Sequence, residues 1–348
     1  MVFIVRGVTL PARQEQTFVI DGGKLHTHSE PDAELLSDGG WILPGLVDVH
    51  THPGADEPDK PFEEQAMRRH LLLHRDAGVL AVRMPGFPVP LPKSVYDDPE
   101  LPWVRSAGRW LATPGHFFPG FGRDVTEDEL AAAAVEESLA SSGWCKVIGD
   151  WKPDQKAVPL GVLKEVVAAV HDVGGRVAVH CQTADGCHNA VHAGADSLEH
   201  GMHLDHALLG QMAAQGTALV PTLSAFSDLA EVDRSEQPDA FQAWLLAGWD
   251  GMLPTVYAAY QAGVTVLAGT DIGPFGNVTT EIGWLIKAGL PVETAIGAAS
   301  WTARSWLGLP NQTDSAPADL VIYDEDPTVN PDVLAHPSRI ILRGRLVR

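Results

Sequence analysis

The fold turns on fourteen residues, WILPGLVDVHTHPG at positions 41–54. An apolar run, ILPGLVDV, leads into a His-Thr-His triplet and stops at Pro-Gly. Such a run, rich in Val, Leu and Ile, reads as a strand buried on both faces, the kind found in parallel sheets. Seven further runs share its character: GVLAVRMPG (78–86), RWLATPG (109–115), WCKVIGDW (144–151), GRVAVHC (175–181), DSLEHG (196–201), TALVPTL (217–223) and VTVLAGTD (264–271). Helical stretches lie between several of them. TEDELAAAAVEESLASS (126–142) opens on a Thr-x-x-Glu capping pattern at Thr126, and PLGVLKEVVAAVHDVG (159–174) closes on Gly174. Eight alternating β/α units predict a closed, parallel (β/α)8 barrel of the TIM type. An open doubly wound sheet is the competing fold, but no glycine-rich phosphate loop follows the first strand.

The two ends of the chain have a different texture. FIVRGV (3–8), TFVID (17–21) and KLHTH (24–28) alternate apolar and polar residues, as do ADLVIYDED (318–326) and SRIILRGRLVR (338–348). These short strands predict one small β-sandwich built from residues 1–43 and 313–348, flanking a barrel over 44–312.

The 348 residues are 45% hydrophobic, enough for a large core. Lys and Arg number 24 against 45 Asp and Glu, a net charge of −21. That field repels phosphate backbones and anionic lipid, so neither nucleic acid nor membrane is expected as a partner. The opening MVFIVRGVTLPARQ lacks the long apolar core of a signal peptide, and three cysteines suit a reducing compartment. A cytoplasmic protein with a small-molecule substrate is expected, and assembly into a homo-oligomer is compatible with the sequence.

Fifteen histidines stand out. Along a strand, residues i and i+2 face the same way, so His-x-His can offer two imidazoles to one ion. The chain has two such pairs. His26 and His28 lie in a polar hairpin, DGGKLHTHSEPDAE, and read as solvated. His50 and His52 close an apolar strand at its C-terminal end, where barrels place their chemistry. Three more strand runs end in ligand-type residues: His180, His200 and Asp271. Each alone could be a hydrogen-bonding histidine or a turn-capping aspartate. Five such residues at four strand ends point to a metal centre. Lys146, inside the run WCKVI, is a costly charge to bury. Protonated, with an ordinary pKa of about 10.4, it cannot ligate a metal; an ion pair with Asp150 or with carboxylates at the barrel mouth is one reading.

Together LPGLVDVHTH, KVIGDW, VAVHCQT, DSLEHG and LAGTDIG resemble the amidohydrolase superfamily, in its imidazolonepropionase-like and Xaa-Pro-dipeptidase-like branch. The tail APADLVIYDEDP…IILRGRLV resembles that family's closing β-strands. The resemblance implies two divalent metal ions at the barrel mouth, with zinc expected from the imidazole and carboxylate ligands. It assigns His50, His52 and Asp271 to the more buried ion and His180 and His200 to the second. It also makes Lys146 the lysine that takes up carbon dioxide as a carbamate bridging both ions.

The activity so implied is hydrolysis of an amide-type C–N bond in a dipeptide, N-acyl amino acid or cyclic amide. Metal-bridging hydroxide would attack, with Asp271 as general base and then acid. A ring deaminase is the first alternative, but Thr183 stands where a proton-shuttling glutamate is expected after His180. A lactone hydrolase and a non-catalytic metal-binding scaffold are the others. His116, in GHFFPGFGRD (115–124), resembles a family histidine that binds the substrate carbonyl or carboxylate. It joins Asp271 as a catalytic candidate, with a plain loop histidine as the other reading. For further substrate contacts the loops offer Phe118 and Arg123 in the same stretch, and Trp151 and Lys152 in GDWKPD (149–154). Aromatic walls with one or two cations would suit a small, partly apolar molecule bearing a carboxylate; ordinary loop packing is the plainer reading. Cys145 and Cys181 adjoin Lys146 and His180, so strand alternation turns them away from the barrel axis as packing residues.

Overall fold

The computed structural model describes residues 2–27, 33–54, 62–232 and 237–348. The N-terminal end supplies β1 (Phe3–Thr9), β2 (Gln14–Asp21), β3 (Lys24–His26) and β4 (Glu34–Pro44). The barrel strands follow: β5 (Leu46–Asp48), β6 (Val79–Met84), β7 (Trp103–Ser106), β8 (Trp110–Ala112), the short β9 (Arg123–Asp124), β10 (Trp144–Ile148), β11 (Arg176–Cys181), β12 (Ser197–His200) and β13 (Ala218–Val220). The chain ends in β14 (Leu320–Tyr323), β15 (Arg339–Leu342) and β16 (Arg345–Leu346). Helices between the barrel strands include α1 (Glu64–Asp76), α2 (Ser94–Asp97), α3 (Leu130–Ala140), α4 (Leu160–Asp172), α5 (Ala184–Ala193) and α6 (Leu209–Gln215). After β13 come α7 (Ala240–Gln261), α8 (Val278–Lys287), α9 (Val292–Ala298) and α10 (Trp301–Trp306). Among the described residues no helix is long and apolar enough to cross a membrane.

The barrel is a TIM-type barrel and its ladders are parallel. One ladder runs β5-β6-β7 and the other β13-β12-β11-β10-β8-β9. The third strand begins earlier than the sequence suggests and is bent. Its first half, β7, pairs with β6, and its second half, β8, pairs with β10. The bend falls at Ala107–Gly108, where Gly108 takes a positive φ of 70°. The eighth run, VTVLAGTD, forms only isolated bridges, yet it closes the ring. Leu219 N donates to Thr265 O on one side, and on the other Val49 N donates to Ala268 O and Asp271 N to His50 O.

Strand alternation sorts the core. In β10, Cys145 and Val147 join the cluster under the helices, while Trp144 and Ile148 pack in smaller clusters inside. Lys146 therefore shares the inner face, and Cys145 and Cys181 lie in the helix-side layer. Helix α3 starts at Leu130, after the capping pattern noted at Thr126. The Thr126 hydroxyl donates to the Glu129 carboxylate (2.7 Å) in a preceding turn, so no backbone N–H of the helix is capped by it.

The strands of both ends form one seven-stranded sheet, ordered β16-β15-β14-β4-β1-β2-β3. Leu320 and Ile322 pack with Phe3, Val5 and Phe18 on one face, and Val321 and Tyr323 on the other join the barrel core. A buried carboxylate fastens sheet to barrel. Asp319 Oδ2 accepts from Trp103 Nε1 (2.8 Å) and from Arg304 Nη2 on α10 (3.0 Å), and its Oδ1 accepts from Arg343 N (2.8 Å). Removing the carboxylate leaves a buried guanidinium without its anion. Asp319→Ala is expected to lower unfolding stability by about 3–5 kcal/mol, read as a lower urea midpoint. Adding Arg304→Met is expected to recover much of the loss.

Candidate metal centre

Six side chains of the sequence-derived set meet in one cavity at the C-terminal mouth of the barrel: His50, His52, Lys146, His180, His200 and Asp271. Three of them converge closely. His50 Nε2 lies 3.2 Å from His52 Nε2, and Asp271 Oδ1 lies 3.2 Å from the first and 3.3 Å from the second. These donors form a group able to hold a metal ion.

The hydrogen bonds behind them explain why. His50 Nδ1 sits 2.6 Å from Glu199 Oε2, and His52 Nδ1 sits 3.1 Å from the Gly86 carbonyl. Both partners are acceptors, so both Nδ1 atoms carry the proton and both Nε2 atoms present lone pairs. Two lone pairs and a carboxylate oxygen then face one another with no proton between them. That set is repulsive alone and complementary to a divalent cation. Beside it, His180 Nε2 is buried without a hydrogen-bond partner, and His200 Nδ1 lies 2.7 Å from Thr222 Oγ1. The His180 and His200 ring centroids are 4.7 Å apart. The residues present therefore fit bound metal.

Protonation suits the same purpose. Burial lowers the His52 imidazole and pulls His200 down to about 3. Burial, reinforced by His200, holds His180 well below the usual range. Burial pushes the Asp271 carboxyl up, but in the absence of a cation the protonated forms of His50 and His52 outweigh this and hold it well below the carboxylate norm. Lys146, 1% exposed, is brought to about 8 by burial. Asp150, one candidate to pair with Lys146, instead accepts hydrogen bonds from Gln182 N, Thr183 N and Thr183 Oγ1 at the start of α5.

Several residues of the site escaped the sequence reading. Glu199 is fully buried between His50 and Arg83, whose Nη2 donates to both carboxylate oxygens (2.7 and 2.9 Å). Arg83 Nε donates to Val49 O, and its guanidinium lies over the rings of Trp144 and Trp306. Asp48 accepts from Thr270 Oγ1 and His50 N and is pushed up to about 6 by burial. Glu281 on α8 accepts from Leu223 N and Ser224 N, anchoring the segment that carries Thr222. The signal for Glu199 and Arg83 was present: each is a charge within an apolar strand run.

The expected substrate contacts divide. Phe118 and Trp151 line the cavity. His116, Arg123 and Lys152 are not part of its wall. His116 directs Nδ1 to its own loop at Pro114 O (3.2 Å), and Arg123 is paired with Glu136 (2.6 Å) and Glu137 (3.3 Å) on α3. Lys152 is exposed. Local acceptors thus hold His116 and Arg123 away from the cavity wall. His26 lies on β3, paired with Val19 in the terminal sheet, and His28 is outside the described residues.

A parallel barrel whose C-terminal mouth gathers imidazoles and a carboxylate defines a class of hydrolase, and comparison identifies it. The model of the Amidohydrolase family matches residues 152–347. An uncharacterized protein of Mycobacterium tuberculosis is 37% identical over 352 residues, covering 98% of this chain and 94% of its own. The chain belongs to the amidohydrolase family. In fold it is similar to a Xaa-Pro dipeptidase crystallised with methionine in its active site (TM-score 0.84, 24% identity, 100% of both chains). It is also similar to the ochratoxinase of Aspergillus niger (TM-score 0.84, 20% identity, 100% of this chain and 96% of the other).

Two measurements probe the centre. Glu199→Gln keeps the shape but loses the anion that orients His50, and zinc affinity by chelator competition is expected to fall about 10–100-fold. His26→Gln is expected to retain full zinc content by elemental analysis, whereas His50→Gln together with His52→Gln loses it.

Proposed function

We propose that this amidohydrolase cleaves an amide-type C–N bond of a small molecule at a centre for two divalent cations, with zinc the metal. The convergence of His50 Nε2, His52 Nε2 and Asp271 Oδ1 within 3.3 Å carries the reading. Lys146, His180 and His200 on the same cavity floor supply ligands for a second ion. Family membership supports amide hydrolysis, as do the dipeptidase and ochratoxinase that share the fold.

Lys146 enters as a carbamate. Its buried position disfavours the ammonium form, and the neutral amine is the one that adds carbon dioxide. The amine nitrogen bonds to the carbon, a proton leaves, and an anion with two oxygens replaces a cation among the ligands. When bound, the cations supply Lewis acidity toward the scissile carbonyl and lower the pKa of water. Asp271, at the edge of the same cluster, would accept the proton of the attacking water and return it to the leaving nitrogen. Glu199 and Gly86 O keep the two imidazoles in the ligating tautomer. Thr183 is a helix cap that accepts from Gly186 N and donates to Asp150, so the ring-deaminase alternative finds no proton shuttle there.

Lys146→Ala is expected to bind fewer than two zinc ions per chain and to lose hydrolysis of every amide that the wild type cleaves. Short carboxylic acids such as formate are expected to restore part of both by standing in for the carbamate. Full zinc content and turnover in Lys146→Ala would overturn the two-ion reading.

A further inference from the structure

The cavity above the ligand cluster holds about 280 Å³ and its walls are mostly aromatic. The Trp110 ring lies 4.9 Å from His52, centroid to centroid, and 5.3 Å from Phe117. Phe117 in turn meets Trp151 at 5.0 Å, and Trp151 stands 6.1 Å from His180. On another side Phe226 lies 5.6 Å from His200. Phe275, two residues beyond Ile272–Gly273, is stacked on His70 at 4.0 Å. Rings thus reach the ligand cluster from the His52, His180 and His200 sides. A bond held over the cluster has aromatic surface next to both of its substituents.

The charges in the wall are as informative. Among the described lining residues Lys146 is the sole Lys or Arg, and it belongs to the floor with the ligands. Arg123 is neutralised by Glu136 and Glu137, and Arg109 by Glu137. Beyond the floor, Trp110 and Trp151 carry indole N–H donors, and Gln182 is the sole amide, acidic, basic or hydroxyl side chain among the described lining residues. Its neutral amide can donate to a carbonyl or accept from an N–H, but it cannot balance an anion. Above the floor, a free carboxylate in this cup would be stripped of water and would meet no Lys or Arg among the described wall residues, an arrangement with a large cost. An uncharged ring would gain offset or edge contacts on every side.

Resting on the amide-hydrolase reading above, we propose that the substrate is an uncharged amide with an aromatic or bulky apolar group on each side of the scissile bond. Substrates with a free α-carboxylate, dipeptides and N-acyl amino acids included, are disfavoured by the same wall.

A matched pair tests this on the zinc-loaded full chain: N-phenethylbenzamide and N-benzoylphenylalanine, which share a skeleton and differ by one carboxylate. Calorimetry is expected to show the uncharged compound binding at least about tenfold tighter. Phe117→Ala with Phe226→Ala is expected to weaken its binding several-fold at unchanged zinc content. Equal or tighter binding of the carboxylate, no binding of the neutral compound, or indifference to the two substitutions would overturn the inference. Benzoate release is read separately by chromatography. Tight binding of the neutral amide without cleavage by the metal-loaded protein counts against the hydrolase reading and leaves the pocket assignment standing. Preferential binding and cleavage of the carboxylate does the reverse.

Discussion

The last barrel strand closes on the first through two hydrogen bonds, Val49 N to Ala268 O (3.0 Å) and Asp271 N to His50 O (2.6 Å). Fold and chemistry meet at this seam. The second bond completes the ring and brings the Asp271 carboxylate to the two imidazoles at the end of the first strand. The backbones approach so closely that Gly269 has no alternative. A Cβ at that position would fall 2.5 Å from His50 Cβ. A side chain there would push the two strand ends apart and separate a ligand from its partners.

Behind the seam, charge is arranged in layers along the barrel axis. Arg83 lies against the paired rings of Trp144 and Trp306; Glu199 caps it, and His50 caps Glu199. Burial pushes the Glu199 carboxyl up, but Arg83 and His50 prevail and hold it well below its norm. The anion then fixes which imidazole nitrogen faces the cavity. Above this column the backbone itself is strained. His200, Thr222 and Asp271 all adopt positive φ, at 69°, 49° and 63°. Each costs on the order of 1–3 kcal/mol. The strain sits at three strand ends where ligands and their hydrogen-bond partners are aimed, and the packed barrel beneath holds it in place.

Much of this was legible in the sequence because buried parallel strands leave a plain trace. The apolar runs gave the barrel, and reading which residue ended each run placed His50, His52, His180, His200 and Asp271 at one mouth. The trace fails where geometry departs from regular repeats. The run RWLATPG reads as a strand starting at Arg109, but it is the second half of a bent strand that begins at Trp103. Loops are harder still. Trp151 and Lys152 are neighbours, yet one faces the cavity and the other solvent. Arg123 looked available for a substrate because nothing in the order of residues reveals that α3 presents Glu136 and Glu137 to it. Glu281 left no trace either: an acid on an amphipathic helix is ordinarily solvated, and its inward turn depends on the two N–H groups it receives.

Most of the cavity wall comes from different parts of the fold than its floor. The candidate ligands His50, His52, His180, His200 and Asp271 stand at strand ends, whereas Phe117, Phe118, Phe121, Trp151, Phe226 and Phe275 come from the segments that follow the strands; of the wall rings named above, Trp110 alone sits on a strand, β8. Reactivity and selectivity can therefore diverge independently over evolutionary time. Descendants of one ancestral barrel can exchange the rim, residue by residue, while inheriting the same cluster of imidazoles and carboxylate at the strand ends. For the same reason, randomising those rim positions is a direct way to retarget the catalyst without eroding the scaffold that makes it one.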